Sequence, residues 1–298
     1  MSHRVVTMGY AAMDHLFVVD SYPDRGSKCR ILQSVSATGG QAVTAASALS
    51  RWGIRVRCIA RIGDDPDASR IREDLDRDAI PLDSILSTCG ARTQKASICV
   101  DRRNGERTIF WERDPELNLG IGDLRHEWFR GVEWLMIDGH EAEADILACD
   151  WVKADGGRIL LDAETIGDAH ESLLKRVDAC IASSDFGLNE FGVSDPEQTL
   201  DRLRGYSIPI VAVTLGKDGA ICDVAGDRFR VPGVQVAAVD TTGAGDIFHA
   251  GFIYGMLHHF SPRTCFELAN RAAALSCRFL GGRHGIPLTE EFVPETLG

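Results

Sequence analysis

The chain has 298 residues, of which 44% are hydrophobic and 26% charged, proportions typical of a globular protein large enough to bury a substantial core. Its formal net charge of −12, without any dense run of Lys or Arg, argues against a nucleic-acid or membrane-surface partner. The nine cysteines include no C-x-x-C pair, which argues against a disulfide framework or zinc knuckle. Without a signal-peptide pattern or an apolar run of membrane-spanning length, the chain is expected to be cytoplasmic.

The first predicted element is a buried strand, Val5–Met8, that breaks at Gly9. Asp14 follows five residues later, and polar groups just past a strand's end are where open α/β sheets bind ligands. Asp14 is therefore a candidate substrate contact, with an exposed turn aspartate as the alternative. The pair Gly39-Gly40 then opens a helix that Gly53 closes, which would let the backbone touch a ligand.

Four further strands interrupt the expected alternation of strands and helices. Residues 16–37 alternate in polarity with period two and predict two strands around a turn at 23–26. Residues 95–100 and 107–111 predict a hairpin over 102–105. Such an excursion usually covers one face of a main sheet.

The second half of the chain alternates regularly. Strands are predicted at 133–138, 158–162, 178–182 and 209–214, and helices at 143–155, 168–176 and 196–205. Such alternation produces right-handed crossovers and a mostly parallel sheet. A further strand is predicted at 220–224, a β-rich stretch at 229–239, and an Ala-rich helix at 262–280.

Residues 239–252 carry the strongest chemical signal. Gly243, Ala244 and Gly245 are small enough for backbone N–H groups to approach a ligand, and they open a helix, whose N-terminus favours anions. The next residue, Asp246, would repel a bound phosphate. A carboxylate there makes sense if it takes a proton from a nucleophile that attacks the anion. The alternative is that Asp246 is simply the N-cap of the helix.

Several of these features occur in one order over nearly the whole chain: Asp14, Gly39-Gly40, Thr214-x-Gly216 and Asp240-Thr-Thr-Gly-Ala-Gly-Asp246. In this the sequence resembles the ribokinase-like, PfkB-type carbohydrate kinases, and it matches their D-T-x-G-A-G-D signature completely. The resemblance implies one kinase domain over residues 1–298. It also implies a doubly wound α/β fold, with a mostly parallel sheet, helices on both faces, and a small β-lid contributed by 16–37 and 95–111.

The resemblance also implies roles for individual residues. Asp246 would be the catalytic base, and the N–H groups of Gly243, Ala244, Gly245 and Asp246 would form the anion hole for the transferring phosphoryl group. The other implied contacts are Asp14, Gly39 and Gly40 for sugar hydroxyls, Thr214, Gly216 and Gly219 for the phosphates of ATP, Asn270 for the adenine, and Asp240 with the backbone of Thr242 for a monovalent cation such as K⁺.

The chain departs from the family pattern at several positions. Thr44 stands nearest to a family asparagine that contacts substrate. The N-x-x-E motif that organises Mg²⁺ becomes Ser-Asp-Phe-Gly at 184–187, which leaves Asp185 as the nearest acid, with Asn189-Glu190 one turn later. Lys28, expected on a lid strand, would meet an anionic sugar substituent or be a solvated surface residue.

The leading hypothesis is an ATP- and Mg²⁺-dependent sugar kinase. His249 and residues 282–287 resemble the sulfofructose-kinase and ketohexose-kinase side of the family, which points to a ketose or modified ketose. A nucleoside kinase and a catalytically inert sugar- or nucleotide-binding protein are the alternatives. Phe17, Phe110 and Trp111 leave open whether an aromatic sandwich for a nucleobase exists. A homodimer through the lid is expected, because exposed lid edges need covering.

Overall fold

The computed structural model describes residues 3–165 and 170–297. Within these ranges thirteen strands form two sheets. In chain order they are β1 (Val5–Met8), β2 (Ala12–Val19), β3 (Ile31–Gly39), β4 (Val56–Ile62), β5 (Ile85–Ser87), β6 (Gln94–Asp101), β7 (Arg107–Glu112), β8 (Trp134–Ile137), β9 (Arg158–Ala163), β10 (Ala179–Ala182), β11 (Ile210–Thr214), β12 (Gly219–Val224) and β13 (Asp227–Pro232).

The larger sheet has nine strands in the order β13-β12-β11-β10-β9-β8-β1-β4-β5. The seven strands from β11 to β5 are mutually parallel, and β12 and β13 continue the sheet as an antiparallel ribbon. Strand β1 lies between β8 and β4, so the strand order reverses there. In open α/β sheets this switch point creates a ligand-binding crevice at the carboxyl ends of the strands.

Helices cover both faces of this sheet. The described helices are α1 (Gln41–Arg51), α2 (Pro66–Arg77), α3 (Ala142–Ala154), α4 (His170–Leu174), α5 (Phe186–Phe191), α6 (Pro196–Arg204), α7 (Ala244–Leu257), α8 (Pro262–Ser276) and α9 (Thr289–Phe292). Helices α1, α2, α7 and α8 pack in one apolar core and α3 to α6 in a second. Because both faces are covered, central strands such as β1 and β8 are buried and continuously apolar.

The smaller sheet is the predicted lid, in the order β3-β2-β6-β7. One of its faces packs a small apolar cluster that includes Leu16, Ile98 and Val100 and reaches Leu280. The doubly wound fold, the helices on both faces and the separate small sheet are therefore confirmed. That residues 1–298 act as one kinase domain stays a prediction.

The boundaries differ from the predicted ones at several places, among them the loop between β2 and β3, which spans 20–30 instead of only the predicted turn at 23–26. The β-rich stretch 229–239 is a strand only to Pro232, because proline lacks the N–H that a ladder needs. Helix α8 ends at Ser276 instead of reaching 280, and the short β5 and α5 are additional elements. Part of the predicted helix 168–176 lies outside the described residues. In the part of the chain that is described, no helix is both long and apolar enough to cross a membrane.

Candidate active site

The glycine turn predicted from the sequence begins α7, with Gly243 as the N-cap in the left-handed region at φ 74°. A Cβ on Gly243 would lie 2.9 Å from the Cα of Gly282, whereas a Cβ on Gly245 would meet no heavy atom within 4 Å. The turn is thus supported from behind and open in front. The first N–H groups of a helix have no partner inside it, although that of Ala244 makes a long bond of 3.3 Å to the carbonyl of Thr241. The open side has the form of an anion site.

Asp246 lies in the first turn of α7, three residues after the cap. The alternative that Asp246 is the N-cap is therefore wrong. Its pKa is raised well above the ordinary value, chiefly because the carboxyl is withdrawn from water and next because Asp162 is nearby. His249 and Arg107 oppose this shift. The carboxyl therefore holds a proton more readily than an exposed aspartate, as a proton acceptor in phosphoryl transfer requires.

A second loop supports the turn through Asp240, whose side chain is buried. One carboxylate oxygen accepts hydrogen bonds from the backbone N–H and hydroxyl of Thr242, at 2.9 and 2.7 Å. The other accepts the N–H of Gly281 at 2.8 Å. Among the described residues, no Lys or Arg forms an ion pair with Asp240. A buried carboxylate with only neutral donors suits a bound monovalent cation.

The expected acceptor contacts meet beside the lid. Asp14 lies on β2 and pairs with Ala37, two residues before Gly39 on β3. A Cβ on Gly39 would come within 2.0 Å of the Asp14 carboxylate, so only glycine allows this approach. Gly40 has φ 94° and is the N-cap of α1. Burial, and then the charge of Asp240, raises the pKa of Asp14 to about 7.

The lid contacts the glycine turn directly. The carbonyl of Gly105, at the tip between β6 and β7, accepts the backbone N–H of Thr241 at 3.2 Å and its hydroxyl at 3.1 Å. Arg107 donates from its guanidinium to that hydroxyl at 2.9 Å. The charge of Arg107 also lowers the pKa of both Asp14 and Asp246. A cation carried by the lid therefore lies near enough to both carboxylates to favour their charged forms.

The expected nucleotide contacts lie at the far end of the crevice. Thr214 is the last residue of β11, and its hydroxyl donates to the carbonyl of Ala182 at 3.3 Å. Gly216 adopts φ 56° in the following turn. Gly219 begins β12 with φ 92°, and a Cβ there would lie 2.0 Å from the Val231 carbonyl oxygen, so backbone conformation and close strand pairing account for this glycine.

Asn270, the expected adenine neighbour, is buried on α8. Its amide donates to the carbonyl of Pro232 at 2.7 Å and so ties α8 to the end of β13.

This geometry agrees with the comparison with protein families. A sequence model described as pfkB family carbohydrate kinase matches residues 2–288. The chain belongs to this family. Its members are sugar and nucleoside kinases, so the protein is an ATP-binding phosphotransferase with an alcohol group as acceptor.

Individual relatives cover nearly the whole chain. A nucleoside kinase from Methanothermobacter thermautotrophicus is 22% identical over 97% of this chain and 94% of its own. A fructokinase from Klebsiella pneumoniae is 28% identical over 87% of this chain and 89% of its own. The crystal structure of a putative ribokinase from Agrobacterium tumefaciens superposes with a TM-score of 0.88 at 28% identity, over 96% of this chain and 95% of that one. The relatives thus differ in acceptor, while the ribokinase-like fold is shared.

The PfkB site contains three charged residues that the sequence did not single out. Asp162 and Glu164 lie at and just beyond the carboxyl end of β9, and both raise the pKa of Asp246. His249, one turn after Asp246, lies 3.5 Å from the Asp162 carboxylate through its Nε2. Burial lowers the pKa of His249, which favours its neutral form. Arg107, on the lid, is the third missed charge.

Of the three remaining predicted contacts, Lys28, Thr44 and Asp185, only Lys28 lies outside its predicted element. Lys28 is exposed in the loop between β2 and β3. Its placement on a lid strand was wrong, because the loop continues beyond the turn at 23–26 and β3 begins only at Ile31. Thr44 is buried on α1, and its methyl group faces Gly243. Asp185 is exposed just before α5.

Proposed function

We propose that this PfkB kinase transfers the γ-phosphate of ATP to a hydroxymethyl group of a sugar, with Asp246 as the general base. The observation that carries the proposal is the open glycine turn at the start of α7, with Asp246 in the first helical turn that follows it. Asp14 on one side and Thr214 on the other supply places for acceptor and donor. Phosphoryl transfer needs positioning and charge stabilisation, which this arrangement provides.

In the proposed reaction, the acceptor hydroxyl loses its proton to the Asp246 carboxylate as its oxygen forms a bond to the γ-phosphorus. The bond from that phosphorus to the bridging oxygen breaks, and ADP leaves. The N–H groups of the turn donate hydrogen bonds to the phosphoryl oxygens and so stabilise the charge that collects there. Arg107 stabilises the same charge from the lid, since it already contacts the turn through Thr241.

The residues around Asp246 fit a Mg²⁺ ion that arrives with ATP. In the described ranges no group of three or more His, Cys, Asp or Glu side chains is placed to hold a metal alone. Mg²⁺ commonly uses one or two carboxylates together with substrate phosphates. We propose Asp162 and Glu164 for this role, with Asp185 as the position the family motif suggests. When bound, the ion would neutralise charge on the phosphates.

We also propose that a monovalent cation such as K⁺ is held by the Asp240 carboxylate and the backbone of Thr242. The support is the burial of Asp240 among neutral donors. Such an ion would stiffen the loop behind the anion hole.

The lid register bears on the choice between a ketose and a nucleoside. Asp14 pairs with Ala96, which pairs with Trp111, so these three side chains share one face of the lid. Phe17 and Phe110 lie on the opposite face, and they therefore do not form a sandwich with Trp111. We keep a ketose or modified ketose as the proposed acceptor, and a nucleoside, whose base would reach Trp111, as the second candidate.

We propose that the protein is a homodimer that associates through the lid. Several large apolar side chains of the lid are exposed, which is unusual for a free surface. They are Tyr22, Ile31, Leu32, Ile109, Phe110 and Trp111. A cytoplasmic location is proposed because all nine cysteines are free thiols.

The proposed function is tested by acceptor-dependent ADP release with ATP and Mg²⁺ across a panel of ketoses, aldoses and nucleosides. We expect turnover with at least one ketose and weaker turnover with nucleosides. Preference for a nucleoside would support the second candidate. If no acceptor of the panel causes ADP release while ATP still binds, the result would support a catalytically inert sugar- or nucleotide-binding protein instead.

A further inference from the structure

Arg283 lies in the loop after α8 and is buried, with 5% of its surface exposed. Its Nε donates to the hydroxyl of Ser47 on α1 at 2.9 Å. Its Nη1 donates to the carboxylate of Asp74 on α2 at 3.2 Å, and its Nη2 donates to the Asp74 carbonyl at 3.2 Å and to the carboxylate of Asp78. One guanidinium thus fixes the loop to two helices.

The loop that Arg283 fixes forms the rear wall of the anion hole. Gly282, its neighbour, packs against Gly243, where a Cβ on either glycine would lie about 3 Å from the other's Cα (2.9 and 3.1 Å). Gly281 donates its N–H to Asp240. A displacement of this loop would therefore be transmitted to the turn that faces the phosphoryl group.

The same carboxylate reaches the acceptor side of the site. Oδ2 of Asp74, which accepts from Arg283, also accepts the hydroxyl of Thr38 at 2.7 Å. Thr38 is the residue before Gly39, which lies against Asp14. One carboxylate oxygen thus connects the lid strand β3 with the loop behind the anion hole.

We infer that Arg283 is a positioning residue for phosphoryl transfer, which holds the glycine turn of α7 in register with the acceptor site through Asp74. The inference rests on the proposed function of that turn. It assigns no contact between Arg283 and substrate. Because the guanidinium uses all three nitrogens on two helices, a lysine retains the charge but cannot reproduce the fork.

The test uses Arg283→Lys in the full chain. We expect kcat to fall roughly 10- to 100-fold, because small displacements of a positioned group are costly in rate, while the KM for the acceptor changes less than about threefold. A second readout is nucleotide binding without acceptor. A non-hydrolysable ATP analogue brings a γ-phosphoryl group to the turn, whereas ADP does not. The ratio of the analogue's affinity to that of ADP should therefore be on the order of tenfold lower in the variant than in wild type.

Arg77→Met is the matched control. Arg77 pairs with the other oxygen of Asp74 at 2.6 Å, but its side chain is 71% exposed. Its loss should leave kcat and the nucleotide preference unchanged, since exposed ion pairs contribute little. Should Arg283→Lys fail to fold, Ser47→Ala removes one hydrogen bond to the guanidinium without removing charge. It should lower kcat by about three- to tenfold.

Wild-type kcat and nucleotide preference in a folded Arg283→Lys protein would overturn the inference. An equal loss of affinity for ADP and for the analogue would also overturn it, because a general loss of structure weakens the binding of both. If Arg283→Lys does not fold, a wild-type kcat in Ser47→Ala would overturn the inference instead. A wild-type protein that phosphorylates no acceptor would contradict the proposed function, and the nucleotide preference would still decide the role of Arg283.

Discussion

At the residue scale, Gly243 and Gly245 differ in what a side chain would meet. The Cβ of Gly245→Ala enters open space in front of the turn, where the phosphoryl group is proposed to lie. We expect the variant to be as stable as the wild type, or up to about 1 kcal/mol more stable, since alanine is the better helix former. Its kcat/KM for ATP should fall on the order of 100-fold, because the methyl group blocks the N–H donors.

Thermal unfolding and steady-state kinetics measure these two effects. Gly243→Ala is the comparison, because its Cβ would lie 2.9 Å from Gly282 and its φ is positive. It should cost at least about 1–2 kcal/mol of stability. Unchanged kinetics in a stable Gly245→Ala protein would show that the turn does not hold the phosphoryl group.

Asp14 should give the stability of the protein a pH dependence of known sign. Burial raises its folded-state pKa to about 7 from an ordinary value of 3.8. Between these values the folded state keeps a proton that the unfolded state releases, so stability falls as pH rises through this window. Below about pH 4, Asp14→Asn should have the same free energy of unfolding as wild type in its pH-dependent part. Above pH 7 its free energy of unfolding should exceed that of wild type by up to about 4 kcal/mol.

Urea unfolding of both proteins from pH 4 to 8 measures the difference. Burial also raises the pKa of Glu141 to about 7, but Glu141 titrates in both proteins and cancels in the comparison. A difference that does not change with pH would mean that Asp14 is ordinarily ionised in the folded protein.

At the scale of elements, the lid register separates two neighbouring aromatic residues on β7. Trp111 shares the face of Asp14, and Phe110 lies on the other face. Two strand spacings, about 10 Å, separate Trp111 from Asp14, a distance that a nucleoside can span and a small sugar cannot. Both side chains are exposed, at 66% and 57%.

Trp111→Ala should therefore raise the KM of a nucleoside acceptor about tenfold, since stacking on an aromatic side chain contributes about 1–3 kcal/mol per base. It should change the KM of a ketose less than twofold. Phe110→Ala is the matched control and should change neither KM value. Initial rates across acceptors measure these effects. Equal effects of the two substitutions would show that the lid face on which a side chain lies does not determine whether it contacts the acceptor.

The sequence predicted local elements better than it predicted contacts between residues that are distant along the chain. The α7 turn and the β6–β7 hairpin each lie in one short stretch, where glycine placement and alternating polarity indicate them directly. Asp162, Glu164 and Arg107 bear on Asp246 only because β9 lies in the same sheet and because the lid folds over the crevice. No local pattern at those positions signals such proximity.

At the scale of the whole molecule, the site forms where separate parts of the fold meet. The main sheet brings the ends of β9 and β11 and the start of α7 to one crevice, and the lid brings Asp14 and Arg107 to its other side. The mostly parallel sheet followed from the alternation of strands and helices, and the doubly wound fold from the family resemblance. The acids proposed for Mg²⁺ could not be predicted in this way, because the family motif is changed at 184–187 and the proposed acids come from another strand.

In the proposed mechanism, Asp246 takes the acceptor's proton at the anion hole. The most direct measurement compares kcat of wild type and Asp246→Asn with the best acceptor of the panel, alongside calorimetric binding of acceptor and of a non-hydrolysable ATP analogue. We expect kcat to fall by about 10²–10⁴ while both ligands still bind. Turnover of Asp246→Asn near the wild-type rate would contradict the assignment of Asp246 as the base.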